Sequence, residues 1–88
     1  MAQAEKDGDA YNAAVAAQLK ARREYLGMTY PAMIERTGLT KQLLTAIMLN
    51  QRAMKVADFY NVAGALGLDV QAIAAEADRR VRENLPNG

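Results

Sequence analysis

Large apolar side chains recur at helical intervals along most of the chain, and single glycines interrupt them. Val15, Leu19 and Leu26 fall on one stripe of a helix predicted over residues 10–26, with Asp9 as its cap and Gly27 as its stop. Thr29 is the next cap. Pro31 falls in the following first turn, where the missing N–H has no intrahelical partner to lose, so a short helix over residues 30–36 is predicted with Met33 and Ile34 inward. Thr37, Gly38 and Leu39 form a tight turn in which Gly38 supplies a positive φ. Thr40 caps a third helix that ends near Leu49 and Asn50, asparagine being the second choice after glycine for a left-handed end.

A basic connector, "QRAMK", occupies residues 51–55. Beyond it Val56, Phe59, Val62, Ala63 and Leu66 repeat at helical spacing until Gly67 stops a fourth helix. Asp69 then caps a fifth, with Leu68 and Ile73 at staple spacing, and Val70, Ile73, Ala77 and Val81 along one side; Leu85 and Pro86 close it. No alternating β pattern competes. The expectation is an all-α fold, a compact bundle of four to five short helices. Residues 1–8 are read as a disordered segment, 9–68 as the main domain, 69–85 as a helix that lids the core and offers a dimer contact, and 86–88 as a tail.

Eighty-eight residues make one domain near the lower size limit for a single unstapled core. Much of the 51% hydrophobic content is alanine, which favours helix but buries little area. The core therefore rests on Val15, Leu19, Leu26, Met33, Ile34, Leu39, Leu44, Ile47, Val56, Phe59, Val62, Leu66, Leu68 and Ile73. Cysteine and histidine are both absent, which removes disulfides, the usual zinc sites, the cysteine nucleophile and the histidine base. Glu24, Glu35 and Asp58 lie scattered among basic residues and do not form an acid/base pair. An enzyme is therefore not expected, and no cofactor or metal is implied. No apolar run approaches the roughly 20 residues of a membrane span, and no secretory signal opens the chain, so the expected location is intracellular.

Charge sharpens the picture. The chain carries +1 overall, but residues 10–68 hold seven basic residues against three acidic ones, a net of +4, while both ends are acidic. A polyanion is the natural partner for such a middle.

A short helix, a glycine-containing turn and a second short helix make a helix-turn-helix, whose second helix lies in the DNA major groove. The stretch "LKARREYLGMTYPAMIERTGLTKQLLTAIMLNQRAMKVADFYNVAGALGLDVQAI", residues 19–73, resembles the lambda-repressor/Cro-type helix-turn-helix family over more than half the chain. "LKARREYLGMT" is similar to that family's first-helix ending, "GLT" to its turn and cap, Leu44 and Ile47 to its core positions in the reading helix, and "VAGALGL" to its fourth helix and glycine stop. The sequence departs where the family usually has a glutamine, here Tyr30, and where a glutamate and glycine often end the reading helix, here Met48 and Asn50.

The resemblance implies base-reading roles for Lys41, Gln42, Leu43, Thr45 and Ala46, with Leu49 at the far edge. Lysine suits guanine O6 or N7, glutamine suits adenine N6 and N7, and Leu43 or Ala46 suits a thymine methyl. Leu43 and Leu49 are equally readable as core-facing. Thr29, Tyr30, Thr40, Asn50, Arg52 and Lys55 are the implied phosphate contacts, since helix N-termini and flanking basic loops lie beside the backbone in this docking mode. Arg22 and Arg23 are read as surface residues or salt-bridge partners of nearby Glu24, or in the case of Arg23 as an internal brace.

The function these expectations describe is a sequence-specific DNA-binding regulator, a repressor of phage or mobile-element type, with double-stranded operator DNA as partner. A homodimer would double the base contacts on a palindromic site. The residue pattern leaves two rivals: an antitoxin of the same fold with a toxin partner, and a helix-turn-helix used only to bind protein.

Overall fold

The computed structural model describes residues 2–84, with side chains from residue 8 onward. Among the described residues there are five helices and no strand: α1 (Ala2–Leu26), α2 (Tyr30–Thr37), α3 (Lys41–Met48), α4 (Val56–Ala65) and α5 (Val70–Asn84). The all-α bundle expected from the periodicity is thus the observed architecture. Helix α1 packs along α5 and also meets α3, α2 packs on both α3 and α4, and α4 touches α5.

Local chemistry sets most of the helix ends. Helix α1 closes at Gly27, whose φ is +64°, through N–H bonds from Gly27 to the Glu24 carbonyl and from Met28 to the Arg23 carbonyl, both 3.1 Å. Helix α4 closes in the same way at Gly67, with φ +69° and the Leu68 N–H on the Ala63 carbonyl at 2.9 Å. Two arginines from other helices add to that end: Arg22 Nε donates to the Leu66 carbonyl and Arg36 Nη1 to the Ala65 carbonyl, each at 3.2 Å. The last carbonyls of a helix have no intrahelical donor and carry its negative dipole end, so a guanidinium is a fitting partner. Asp69 caps α5 by accepting the Gln71 N–H at 3.2 Å.

The core runs through the centre of the bundle as Leu19, Met33, Leu44, Ile47, Met48, Val62, Ala63, Leu66 and Ile73, each nearly inaccessible to solvent. Val15, Ile34, Leu39, Phe59 and Leu68 pack around it half-buried. On α5, Ile73, Ala77 and Val81 are buried, and Gln18 Nε2 pins that helix to α1 through the Ile73 carbonyl at 3.0 Å.

Several expectations need correction. The segment read as disordered over residues 1–8 is helical from Ala2, and Asp9 is an interior residue, not a cap. Ala2, Gln3, Ala4, Glu5 and Lys6 are strong helix formers, and extending an existing helix costs far less than starting one. Leu26 is 42% exposed and Val56 71% exposed, so neither belongs to the core. Both sit at a helix end, where the apolar stripe outruns the elements that would cover it. Met48, not counted in the expected core, is 2% exposed, because it follows Leu44 and Ile47 on the same inward face. Val81 is spent inside the chain and so is not free for a dimer seam, while Leu85 and the tail lie outside the described residues.

Candidate nucleic-acid interface

Helices α2 and α3 are each eight residues long and joined by residues 38–40. Thr29 is extended and its Oγ1 accepts the Ala32 N–H at 3.3 Å; Thr40 repeats the device on the Leu43 N–H at 3.1 Å. A hydroxyl that accepts a cap bond still has its own proton to donate. Between the helices Gly38 adopts φ +74° and donates to the Ile34 carbonyl at 2.8 Å. Thr37 Oγ1 accepts the Leu39 N–H at 3.1 Å, and Asn61 Nδ2 on α4 donates to the Thr37 carbonyl at 2.8 Å. The turn is therefore tied both within itself and to the bundle.

Helix α3 presents a graded face. Leu44, Ile47 and Met48 are buried, which fixes the rotation of the helix; Lys41 and Gln42 at its start are exposed. Thr45 and Ala46 are half-buried along the same outer side, and Leu43 packs partly against the core. Leu49, just past the helix, is 48% exposed.

Tyr30 opens α2 with its ring near two cations. The Arg23 guanidinium carbon lies 4.4 Å and the Lys41 ammonium 5.9 Å from the ring centre, within the range of a cation–π attraction. Arg23 Nη1 also donates to the Met28 carbonyl at 2.8 Å, while its Nε is buried with no hydrogen-bond partner. The reading of Arg23 as an internal brace holds; the pairing of Arg22 and Arg23 with Glu24 does not, since backbone carbonyls take both guanidiniums. Tyr30 touches α3 through its ring, where the amide of a glutamine would act by hydrogen bonds.

Asn50 ends α3 in the left-handed region, φ +56°, and the Gln51 N–H returns to the Ala46 carbonyl at 2.8 Å. Arg52 and Lys55 on the connector are exposed, and neither cationic head makes a hydrogen bond or ion pair among the described residues. The connector is held by a residue that the sequence pattern did not single out. Asn12 Nδ2 on α1 donates to Asn50 Oδ1 and, at 3.3 Å, to the Arg52 carbonyl, while Asn12 Oδ1 accepts the Met54 N–H at 2.9 Å. The available signal was a poor helix former inside the alanine-rich "YNAAVAA". Beside this contact lies an open cleft of about 480 Å³ lined by Asn12, Asn50, Gln51 and Arg52.

The remaining ionisable network lies on α5. Arg79 bridges Glu76 and Glu83, both at 2.5 Å, Arg80 reaches Glu76 at 2.7 Å, and Arg82 reaches Asp78 at 2.8 Å. Hydrogen bonds from Arg79 and then Arg80 hold the Glu76 carboxyl down at about 2. Asp78 is also lowered, chiefly by the Tyr11 hydroxyl at 2.6 Å and then by Arg82. These arginines are neutralised locally, whereas near α3 the cationic heads of Lys41, Arg52 and Lys55 make neither a hydrogen bond nor an ion pair among the described residues. Among the described residues no acidic cluster has the composition of a metal site, and no helix is long and apolar enough to cross a membrane.

No family model matches the chain, and no solved structure matches it. A cyanate hydratase from Pseudomonas paraeruginosa is 35% identical to it over 63 residues, 72% of this chain and 40% of that enzyme. The chain spans well under half the length of this curated relative.

Proposed function

We propose that the chain is a sequence-specific DNA-binding regulator of the lambda-repressor/Cro type that inserts α3 into the major groove. The observation that carries this reading is the start of α3: Lys41 and Gln42 stand exposed on a helix whose rotation is fixed by three buried residues, with free cations on the adjoining connector. Lys41, Gln42, Thr45 and Ala46 read base edges, with Leu43 and Leu49 supplying apolar contact at the margins. Thr29, Tyr30, Thr40, Asn50, Arg52 and Lys55 position the domain on phosphates. The protein acts by occupying an operator in the cytoplasm of a bacterial or phage-infected cell, at the nucleoid, as a pair of copies on a palindromic site, without catalysis.

The test is selection of sites from random duplex DNA at two salt concentrations. One enriched motif, with affinity falling steeply as salt rises, is the expected result, and twofold symmetry in the motif reports two copies. Changing Lys41→Ala together with Gln42→Ala should erase the motif, at about 1–3 kcal/mol for each bidentate interaction with a base that is removed. Arg52→Ala should weaken binding to all sequences alike. Absence of any enriched motif would overturn the reading and direct the search to protein partners. The similarity to cyanate hydratase makes a direct control necessary: the purified chain should show no cyanate-dependent turnover.

A further inference from the structure

The connector between α3 and α4 carries Asn50, Arg52 and Lys55 but has no regular structure over most of its length. Burial does not shape it either, since Gln51, Arg52, Ala53 and Lys55 are exposed and only Met54 is tucked partly inward. Its path is set from α1, by the amide of Asn12. That amide donates to Asn50 Oδ1 and to the Arg52 carbonyl (3.3 Å), and accepts the Met54 N–H (2.9 Å), so three points along five residues of connector are fastened to one side chain. Asparagine is a poor choice for the interior of an alanine-rich helix, where alanine would raise helix stability. Its presence is accounted for by what it holds.

We propose that Asn12 is a positioning residue for the phosphate backbone: it fixes the connector so that Arg52 is pre-set to meet DNA, though Asn12 itself touches neither base nor phosphate. This rests on the DNA-binding reading. It predicts that the benefit of Asn12 is delivered through Arg52, and not through the stability of the bundle.

The experiment is a double-mutant cycle on duplex carrying the selected motif, using the whole chain as wild type, Asn12→Ala, Arg52→Ala and the double variant, with affinity measured across a salt series. Asn12→Ala keeps the helix, so its thermal midpoint should stay close to wild type, and faster hydrogen exchange at the Met54 amide should report the released connector. Its affinity should fall about threefold to tenfold, the net worth of one hydrogen bond, and its salt slope should shrink by about 0.9, the share of one phosphate. The enriched motif should not change. Arg52→Ala should show the same loss, and the double variant should bind no worse than Arg52→Ala alone. Losses that simply add would overturn the proposal, as would an Asn12→Ala protein with wild-type affinity and slope. A wild type that binds no duplex would overturn the DNA-binding reading and this inference with it, so the two failures are told apart by the wild-type arm.

Discussion

At the scale of single residues the turn between α2 and α3 rests on Gly38. Its φ of +74° lies where side-chain-bearing residues are strained, yet a β-carbon there would meet nothing within 4 Å. Any cost of substitution is therefore backbone strain alone. Gly38→Ala should destabilise the domain by about 1–2 kcal/mol, and Gly38→Asn should recover much of that because asparagine tolerates the left-handed region; urea unfolding of the two variants checks both. Positions of this kind were legible in the sequence. Thr29, Thr40, Gly38 and Asn50 act on backbone within a few residues of themselves, so their types and spacing suffice to place caps and turns. Asn12 was not legible, because its partners Asn50, Arg52 and Met54 lie about forty positions away and only the fold brings them together.

At the scale of elements, α5 shows how far patterning reaches. Its inward side, Ile73, Ala77 and Val81, follows from spacing, and its outward charges pair at three- and four-residue steps as helix geometry requires. The pairing has a pH signature. The Glu76 carboxyl is held at about 2 against an ordinary 4.5, so the folded state favours its ionised form. That contribution is fully present above about pH 4.5 and is lost as pH falls toward 2. Glu76→Gln should therefore flatten the fall in stability across that window, as followed by urea titrations at several pH values. Asp78 is lowered first by the Tyr11 hydroxyl, a bond between α5 and α1. Tyr11→Phe should raise the Asp78 titration midpoint and leave that of Glu76 in place, read by carboxyl NMR. The ends of elements were less legible than their faces. Helix α1 runs to Ala2 past a plausible cap, because nothing in a sequence says whether a capping residue will be used once a helix can simply continue.

For the whole molecule, the number and type of elements followed from periodicity, whereas which stripe residues are covered depended on where neighbouring helices stop. Leu19 and Val56 show the difference. Both sit on apolar stripes and read alike in sequence, but Leu19 is fully buried in the central cluster and Val56 is 71% exposed at the lip of a groove with Val15, Met54 and Phe59. A domain of this size has a total stability on the order of 4–13 kcal/mol at typical values per residue. Leu19→Ala leaves a cavity that short, already packed helices can close only in part, at about 2–5 kcal/mol, a large share of that total. Val56→Ala removes atoms that water already reaches and should stay within about 0.5 kcal/mol of wild type. Equilibrium urea unfolding of the two variants should separate their midpoints widely. Equal midpoints would mean that the centre of the bundle relaxes around a missing leucine as readily as its edge, and the buried residues that fix the rotation of α3 would then not be rigid enough to aim Lys41 and Gln42.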